Sequence, residues 1–349
     1  MYNHAGPILP SDPFRKFAGK VLIMLCIFHK STDPYFNIAT DEYIFKNIEE
    51  DCFMLWQNDN AIIVGKHQNT LSEINYDYVK SHGIHVVRRL SGGGAVYHDM
   101  GNLNFSFTKT VEGGKLIDFE KFTRPIVEVL QSLGVPAKFE GRNDITIDGK
   151  KISGNAEHIF KDKVLHHGTL LFSSEMKNVS EALKVNPLKF QDKAVKSVPK
   201  RVTNISEYLP QPLSIEEFTH KIMDYVVSTS DNCRMYEFTE EDLKKIGELR
   251  DKKYATYEWN YGYSPKYNFQ KAIKSPGGII EMNMDAENGI IRKVKIFGDF
   301  FHVHDIEEIE RAIEGTPHNE KAIREKLSEF NLADYFSNIT ADDLVEAMF

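Results

Sequence analysis

Apolar positions recur along the chain with a strand period of about two and a helix period of about 3.6, and each change of period predicts an element. The apolar run 21–28 predicts the first strand. Ser31-Thr32-Asp33-Pro34 then offers an N-cap with proline at the first helical position, opening a helix to about residue 48. Tyr35, Phe36, Ile38, Ala39, Tyr43 and Phe45 share one of its faces. Glu42 falls inside that face, where backbone N–H groups are its expected partners. Apolar runs at 53–56 and 61–64 about Asn58-Asp59-Asn60 predict a hairpin. A helix from Tyr76 should end at Gly83, and 84–87 and 103–108 read as strands. Apolar residues at 119, 122, 126, 129, 130 and 133 predict a helix closed by Gly134. Ile145 and Ile147 alternate with polar residues up to Asp148-Gly149, a hairpin turn, and 164–172 reads as a third strand of that group.

Beyond this point the polar, lysine-rich segment 184–201 has weak periodicity and reads as a surface loop or a lid. Ser214-Ile215-Glu216-Glu217 is a capping box for a helix to about 227, and a further helical stretch runs from 240 to 257. Lys274-Ser275-Pro276-Gly277-Gly278 has the composition of a linker. After it come a hairpin over 279–284 and 290–297, a helix marked by Ile306, Ile309 and Ile313, and shorter helices around 319–329 and 341–348. The expected division is a turn-rich leader over 1–23, a large unit over 24–263, a linker over 264–278 and a small unit over 279–349.

Composition narrows the chemistry. A net charge of −8 argues against a protein built to coat nucleic acid. Cys26, Cys52 and Cys233 lie far apart, so neither a disulfide framework nor a zinc site is indicated, and a cytoplasmic setting is expected. No apolar run has the length of a membrane span.

Against this acidic background, Arg88-Arg89-Leu90-Ser91-Gly92-Gly93-Gly94-Ala95-Val96-Tyr97-His98 sets two cations beside three glycines. Glycine lets backbone N–H groups approach an anion, and arginine adds a planar donor fork. No Gly-Lys-Ser/Thr follows, and the spacing is not that of a dinucleotide fingerprint, so this is a strand-to-strand loop suited to a phosphorylated or activated acid. Lys151 stands on the return strand of the 148–149 hairpin as a further cation. His166 and His167 must point to opposite faces of their strand, so only one can face a site. Lys66, in the polar loop 65–69, reads as solvated.

Arg-Arg-x-Ser-Gly-Gly-Gly-Ala-Val-Tyr-His-Asp-x-Gly-Asn at 88–102, Gly-Arg-Asn-Asp-Ile at 141–145, Lys-Ile-Ser-Gly-Asn-Ala at 151–156, His-His-Gly-Thr-Leu-Leu at 166–171 and Trp-Asn-Tyr-Gly at 259–262 together closely resemble lipoate–protein ligase A. The resemblance implies an α+β fold: a catalytic domain like those of biotin ligases and class II aminoacyl-tRNA synthetases, with mixed β-sheets flanked by helices, plus a small α+β C-terminal accessory domain. It implies a monomer that converts lipoate and ATP to lipoyl-adenylate and pyrophosphate. The lipoyl group then passes to a lysine of a carrier domain, such as a 2-oxoacid dehydrogenase E2 subunit or glycine cleavage H protein. Lys151 matches the catalytic lysine. Arg89, Gly94, Ala95, Val96, Tyr97, Asn143 and Asp144 match nucleotide positions, and Ser91, Gly93 and His167, with Lys151, match lipoate positions. Magnesium is expected on the triphosphate, with Asp144 as candidate ligand. One departure stands out: Glu157-His158 occupies the place where some relatives carry an arginine, which leaves a third cation in doubt. Rival readings are an ATP-independent octanoyl or lipoyl transferase working through a cysteine, and a binding protein without turnover.

Overall fold

The computed structural model describes residues 23–68, 70–111, 118–183, 202–230, 232–261, 269–287 and 290–349. Most of the leader and the whole 184–201 segment lie outside these residues. The chain runs β1 (Met24–Phe28), α1 (Pro34–Asn47), β2 (Asp51–Trp56), β3 (Ala61–Val64), α2 (Thr70–Glu73), α3 (Tyr76–Ser81), β4 (His85–Arg88), β5 (Val96–His98) and β6 (Asn102–Thr110). Then follow α4 (Phe119–Ser132), β7 (Lys138–Glu140), β8 (Asp144–Ile147), β9 (Lys150–Phe160), β10 (Lys163–Leu171), α5 (Met176–Ala182), α6 (Ile215–Thr229), β11 (Cys233–Met235), α7 (Glu240–Leu249) and α8 (Tyr257–Asn260). The last unit holds β12 (Phe269–Ser275), β13 (Gly278–Glu287), β14 (Ile290–Gly298), α9 (Glu307–Ile313), α10 (Glu320–Leu327) and α11 (Ala341–Ala347).

Eight strands form one sheet in the order β11-β1-β2-β6-β10-β9-β8-β7, with parallel pairing at β11-β1-β2 and antiparallel pairing beyond. One face is covered by α4 and α6, whose Ile126, Val129, Leu130, Phe218, Ile222 and Val226 pack on Phe53, Phe105 and Phe107. The other face carries α1 and a second sheet, ordered β4-β3-β5. Here the sequence expectation fails. β2 and β3 do not form a hairpin, because every residue in both runs is buried, and each is claimed by a different sheet.

Asp33 caps α1 by accepting from the Tyr35 and Phe36 N–H groups, as its sequence predicts. The helix is not one-sided, however. Asn37, Thr40, Asp41 and Glu42 are buried along with the apolar face, since α1 is wedged between the two sheets and α7. Glu42 is paired by side chains and not by backbone: it accepts from Lys46 at 2.6 Å, from Lys253 at 2.7 Å and from the Tyr254 hydroxyl. These contacts outweigh burial and hold its carboxyl at about 2.

The C-terminal unit is a three-stranded antiparallel sheet, β12-β13-β14, with α9 to α11 on one face around Met282, Ile296, Ile309 and Leu344. Of the expected linker, 264–268 lie outside the described residues, and the rest belongs to this sheet: β12 pairs with β13 through the turn at Pro276-Gly277. The unit lies directly on the large one. Gly298 donates to the His67 carbonyl at 2.5 Å, Lys66 Nζ lies 3.9 Å from Asp305, and Phe301 packs on Phe119 and Ala156. Lys66 therefore faces a carboxylate of the C-terminal unit and is not simply solvated. His67, His158 and His302 meet in the same seam, with ring centroids 3.9 Å apart for His67 and His302 and 5.8 Å for His158 and His302.

Candidate active site

Arg88 and Arg89 look alike in sequence but are spent differently, and neither guanidinium is free. Arg88 is fully buried and donates to the carbonyls of Gly65, Lys66, Gln68 and Trp259 and to the Thr70 hydroxyl, tying β4 to the loop after β3 and to α8. Arg89 folds back on its own loop: it donates to Ser91 Oγ at 2.9 Å, to the Ile63 carbonyl at 3.1 Å and to the carbonyls of Gly92 and Gly94 at 2.5 and 3.0 Å. Burial beside Arg88 lowers it to about 10, so it stays charged at neutral pH. The turn it braces needs glycine in the middle, where Gly93 has φ +91.

The braced loop forms one wall of a cavity of about 310 Å³. Arg89, Gly93, Gly94, Ala95, Val96, Asn143, Asp144, Lys151 and His167, all expected from sequence, line it together. β9 delivers Lys151 opposite the loop, where its ammonium lies 2.7 Å from Asp144, each side chain about one-third exposed. Asn143 and Asn155 exchange side-chain-to-carbonyl hydrogen bonds at 2.5 and 3.0 Å, fixing β8 against β9 beneath that pair. Ile38, Trp56 and Ile63 supply apolar wall at the other end. The cavity thus has a cationic end and an apolar end.

Two expected residues do not line it. Tyr97 points to the opposite side of β5 from Val96 and His98, because neighbouring strand residues face opposite ways, and its hydroxyl donates to Asn60 at 3.0 Å. Ser91 is fully buried and acts behind the loop. Its hydroxyl accepts from Arg89 and donates to His167 Nε2 at 2.6 Å, while His167 Nδ1 donates to Asp41 at 2.9 Å. Asp41 also accepts from Ser106, which accepts from the Trp56 indole. This Ser-His-Asp order copies a nucleophilic triad, but a serine with no exposure and no place on the cavity wall is a strut, not a nucleophile.

His158 is not a third cation. Burial, with Lys66 adding to it, pushes it down to about 3, and its ring packs against Phe45 and His302 away from the cavity. Its neighbour Glu157 is raised by burial to about 8, so the neutral acid donates to His166 Nδ1 at 2.9 Å. The extra cation comes from Arg142, whose guanidinium lines the cavity, donates to the Gly277 carbonyl at 2.6 Å and lies 4.6 Å from the Phe301 ring centroid. Asp299 of the C-terminal unit also lines the cavity. None of the three cysteines does, and burial raises Cys26 to about 12, so no thiol is poised as an acyl carrier. Among the described residues no cluster of His, Cys, Asp or Glu is arranged to hold a metal ion by itself, and no helix is long and apolar enough to cross a membrane.

Residues 33–227 match the lipoyl protein ligase A/B catalytic domain, and residues 264–348 match the bacterial lipoate protein ligase C-terminus. Lipoate–protein ligase 1 of Staphylococcus aureus is 47% identical over 319 residues, covering 91% of this chain and 97% of its own. The chain belongs to the lipoate–protein ligase family. Among solved ligases, P. falciparum LipL1 in complex with lipoate has the same fold, with a TM-score of 0.78 at 24% identity over 93% of this chain and 98% of its own. A lipoate–protein ligase A bound with ATP aligns with a TM-score of 0.60 at 28% identity, covering 69% of this chain and 98% of its own. The α+β architecture expected from sequence is therefore that of the family.

Proposed function

We propose that this ligase activates free lipoate with ATP to lipoyl-adenylate and pyrophosphate, and then transfers the lipoyl group to a lysine of a lipoyl carrier domain. The carriers expected are E2 subunits of 2-oxoacid dehydrogenases and glycine cleavage H protein. The observation that carries this reading is the two-ended cavity: Lys151 and Arg142 at one end, and Ile38, Trp56 and Ile63 at the other, accommodate an acid with an apolar tail. The single chain closes its own site with Asp299, which supports action as a monomer.

Attack of a carboxylate on an α-phosphate brings two anions together, so cations must already be in place where charge gathers. Lys151 is held for this by Asp144 and exchanges that partner for substrate oxygens when they arrive. Arg142 offers a fork on the same side, and Gly93 to Val96 offer backbone against the nucleotide. Arg89 fixes those glycines through four of its five N–H groups and itself lines the cavity on the nucleotide side of the loop. Magnesium takes most of its ligands from phosphate and water, which fits a wall whose carboxylates, among the described residues, are Asp144 and Asp299. Such an ion would neutralise triphosphate charge, and Asp144, on the cavity wall, is the residue we expect to touch it.

The decisive experiment is mass spectrometry of a lipoyl domain incubated with the protein, lipoate and Mg-ATP. A lipoyl mass increment that requires ATP, together with lipoate-dependent pyrophosphate release, supports the ligase. An increment from a lipoyl donor without ATP would identify a transferase instead, and binding without pyrophosphate would identify a non-catalytic carrier.

A further inference from the structure

We propose that Glu157, His166 and Asn155 form a buried relay whose proton, held at the end remote from the cavity, keeps the Asn143–Asp144 wall in its working geometry, which makes Glu157 a positioning residue for adenylation. The inference rests on the ligase reading above and adds to it a group that touches no substrate.

The relay is read from its cavity end, where Asn143 and Asn155 are both part of the wall. Asn155 Nδ2 lies 3.0 Å from the Asn143 carbonyl oxygen, which only accepts, so that atom is the amide nitrogen. Asn155 Oδ1 is therefore turned the other way, 3.3 Å from His166 Nε2. An amide oxygen also only accepts, so Nε2 carries a proton. The second ring nitrogen, Nδ1, lies 2.9 Å from Glu157 Oε1. Burial, with His167 adding to it, keeps His166 well below the ordinary imidazole range. A neutral ring has one proton, already spent on Nε2, so Nδ1 accepts and Glu157 donates as the protonated acid. The surroundings agree: burial raises Glu157 to about 8, the Asp118 carboxylate adding to this and the Asp118 backbone N–H opposing it. Among the described residues, Asp118 at the head of α4 and His166 on β10 are the titratable groups that face Glu157.

The three side chains are buried, and the ring between them cannot turn aside. His166 is stacked on Phe122 at 5.1 Å and on Phe105 at 5.9 Å, with Phe119 edge-on at 5.8 Å. A Cβ on Gly168 would come within 2.2 Å of Asn155 Oδ1, so the amide is pressed against bare backbone as well. Asn143 Nδ2 donates to the Asn155 carbonyl at 2.5 Å, and the next residue, Asp144, holds Lys151 at 2.7 Å. If Glu157 gives its proton to solvent, the imidazole moves to the Nδ1–H tautomer to serve the new carboxylate. Nε2 is then a lone pair facing the Asn155 oxygen, acceptor against acceptor in a site without room to turn. Asn155 must give way, and the wall that carries Asp144 loses its support. The proton is retained below about pH 8 and lost above it, so the wall is intact at neutral pH and fails on the alkaline side.

The test follows kcat/KM for ATP in lipoate-dependent pyrophosphate release from pH 6.5 to 9.5 in wild type, Glu157→Gln and Glu157→Ala. Glutamine keeps an N–H for His166 Nδ1 and cannot ionise. The ratio of Glu157→Gln to wild type should rise about tenfold from pH 7 to pH 9, as one proton lost near 8 requires. Glu157→Ala, which offers no donor, should fall by about fivefold or more at pH 7. A ratio that stays flat with pH, or full activity of Glu157→Ala at pH 7, overturns the proposal. If the variants do not fold, 15N-histidine-labelled wild type decides: His166 must carry its proton on Nε2 at pH 7 and on Nδ1 at pH 9, and a proton on Nδ1 at pH 7 rejects the relay. Absence of pyrophosphate release by wild type would instead count against the ligase reading, while the histidine resonances would still report on the relay.

Discussion

Lys151 and Asp144 form a partly exposed pair at the cavity wall, a geometry that contributes at most about 1 kcal/mol to stability. Replacing Lys151 by alanine should therefore leave the unfolding midpoint within a few degrees of wild type. Pyrophosphate release should nonetheless fall by at least about a hundredfold, as when a preorganised charge at the reacting centre is removed. Near-normal turnover by that variant would remove Lys151 from the chemistry. Arg142→Ala should act on nucleotide affinity, raising KM for ATP more than it lowers kcat. An effect confined to kcat would place the guanidinium elsewhere in the cycle. The residues that sequence made legible here are those whose role depends on their own motif: the glycine run, Lys151, and the Asn143-Asp144 pair. His98 and Asp41 were not legible. Their partners, Asn58 for His98 and His167 for Asp41, lie far away in sequence. Tyr97 was misplaced because a motif does not say which side of a strand each letter faces.

Capping and turn chemistry told the truth about individual elements. Asp33 with Pro34, Ser214 with Glu217, and Asp148-Gly149 stand where local rules put them. What local rules missed was membership: β2 and β3 are equally apolar, and only tertiary pairing assigns them to separate sheets. The element most exposed to mutation is the loop between β4 and β5. Arg89 holds it through four separate acceptors, and a lysine cannot reproduce that fork. Arg89→Lys should cost about 2–4 kcal/mol in denaturant-derived stability and lower activity with it, because buried carbonyls lose their donors. Stability unchanged within error would mean that the loop is braced from elsewhere.

Across the whole molecule, the seam between the two units holds His67, His158 and His302, all kept below the ordinary imidazole range by burial and by Lys66. Arg88 and His304 add to this, and Glu42 opposes it at His158. A histidine lowered on folding binds its proton more readily when unfolded, so its contribution is complete above about pH 6.5 and is lost as pH falls towards the folded value. For His158, lowered to about 3, the loss between pH 7 and 5 amounts to about 2 kcal/mol. Glu157 and Glu310, raised by burial to about 8 and about 7, pull the other way, so the contribution must be read by difference. His158→Phe should lose less stability than wild type between those pH values; parallel pH profiles would show that the imidazole is not the sensor. The same seam changes how the triple glycine is understood. A Cβ on Gly92 would come within 2.1 Å of the Phe300 carbonyl oxygen, so this position is reserved by the neighbouring unit, whereas Gly93 is reserved by its backbone angle. Alanine at one would loosen the union of the two halves and at the other would distort the bend itself, so a motif usually counted as a single nucleotide signature encodes two separable requirements, one of assembly and one of shape.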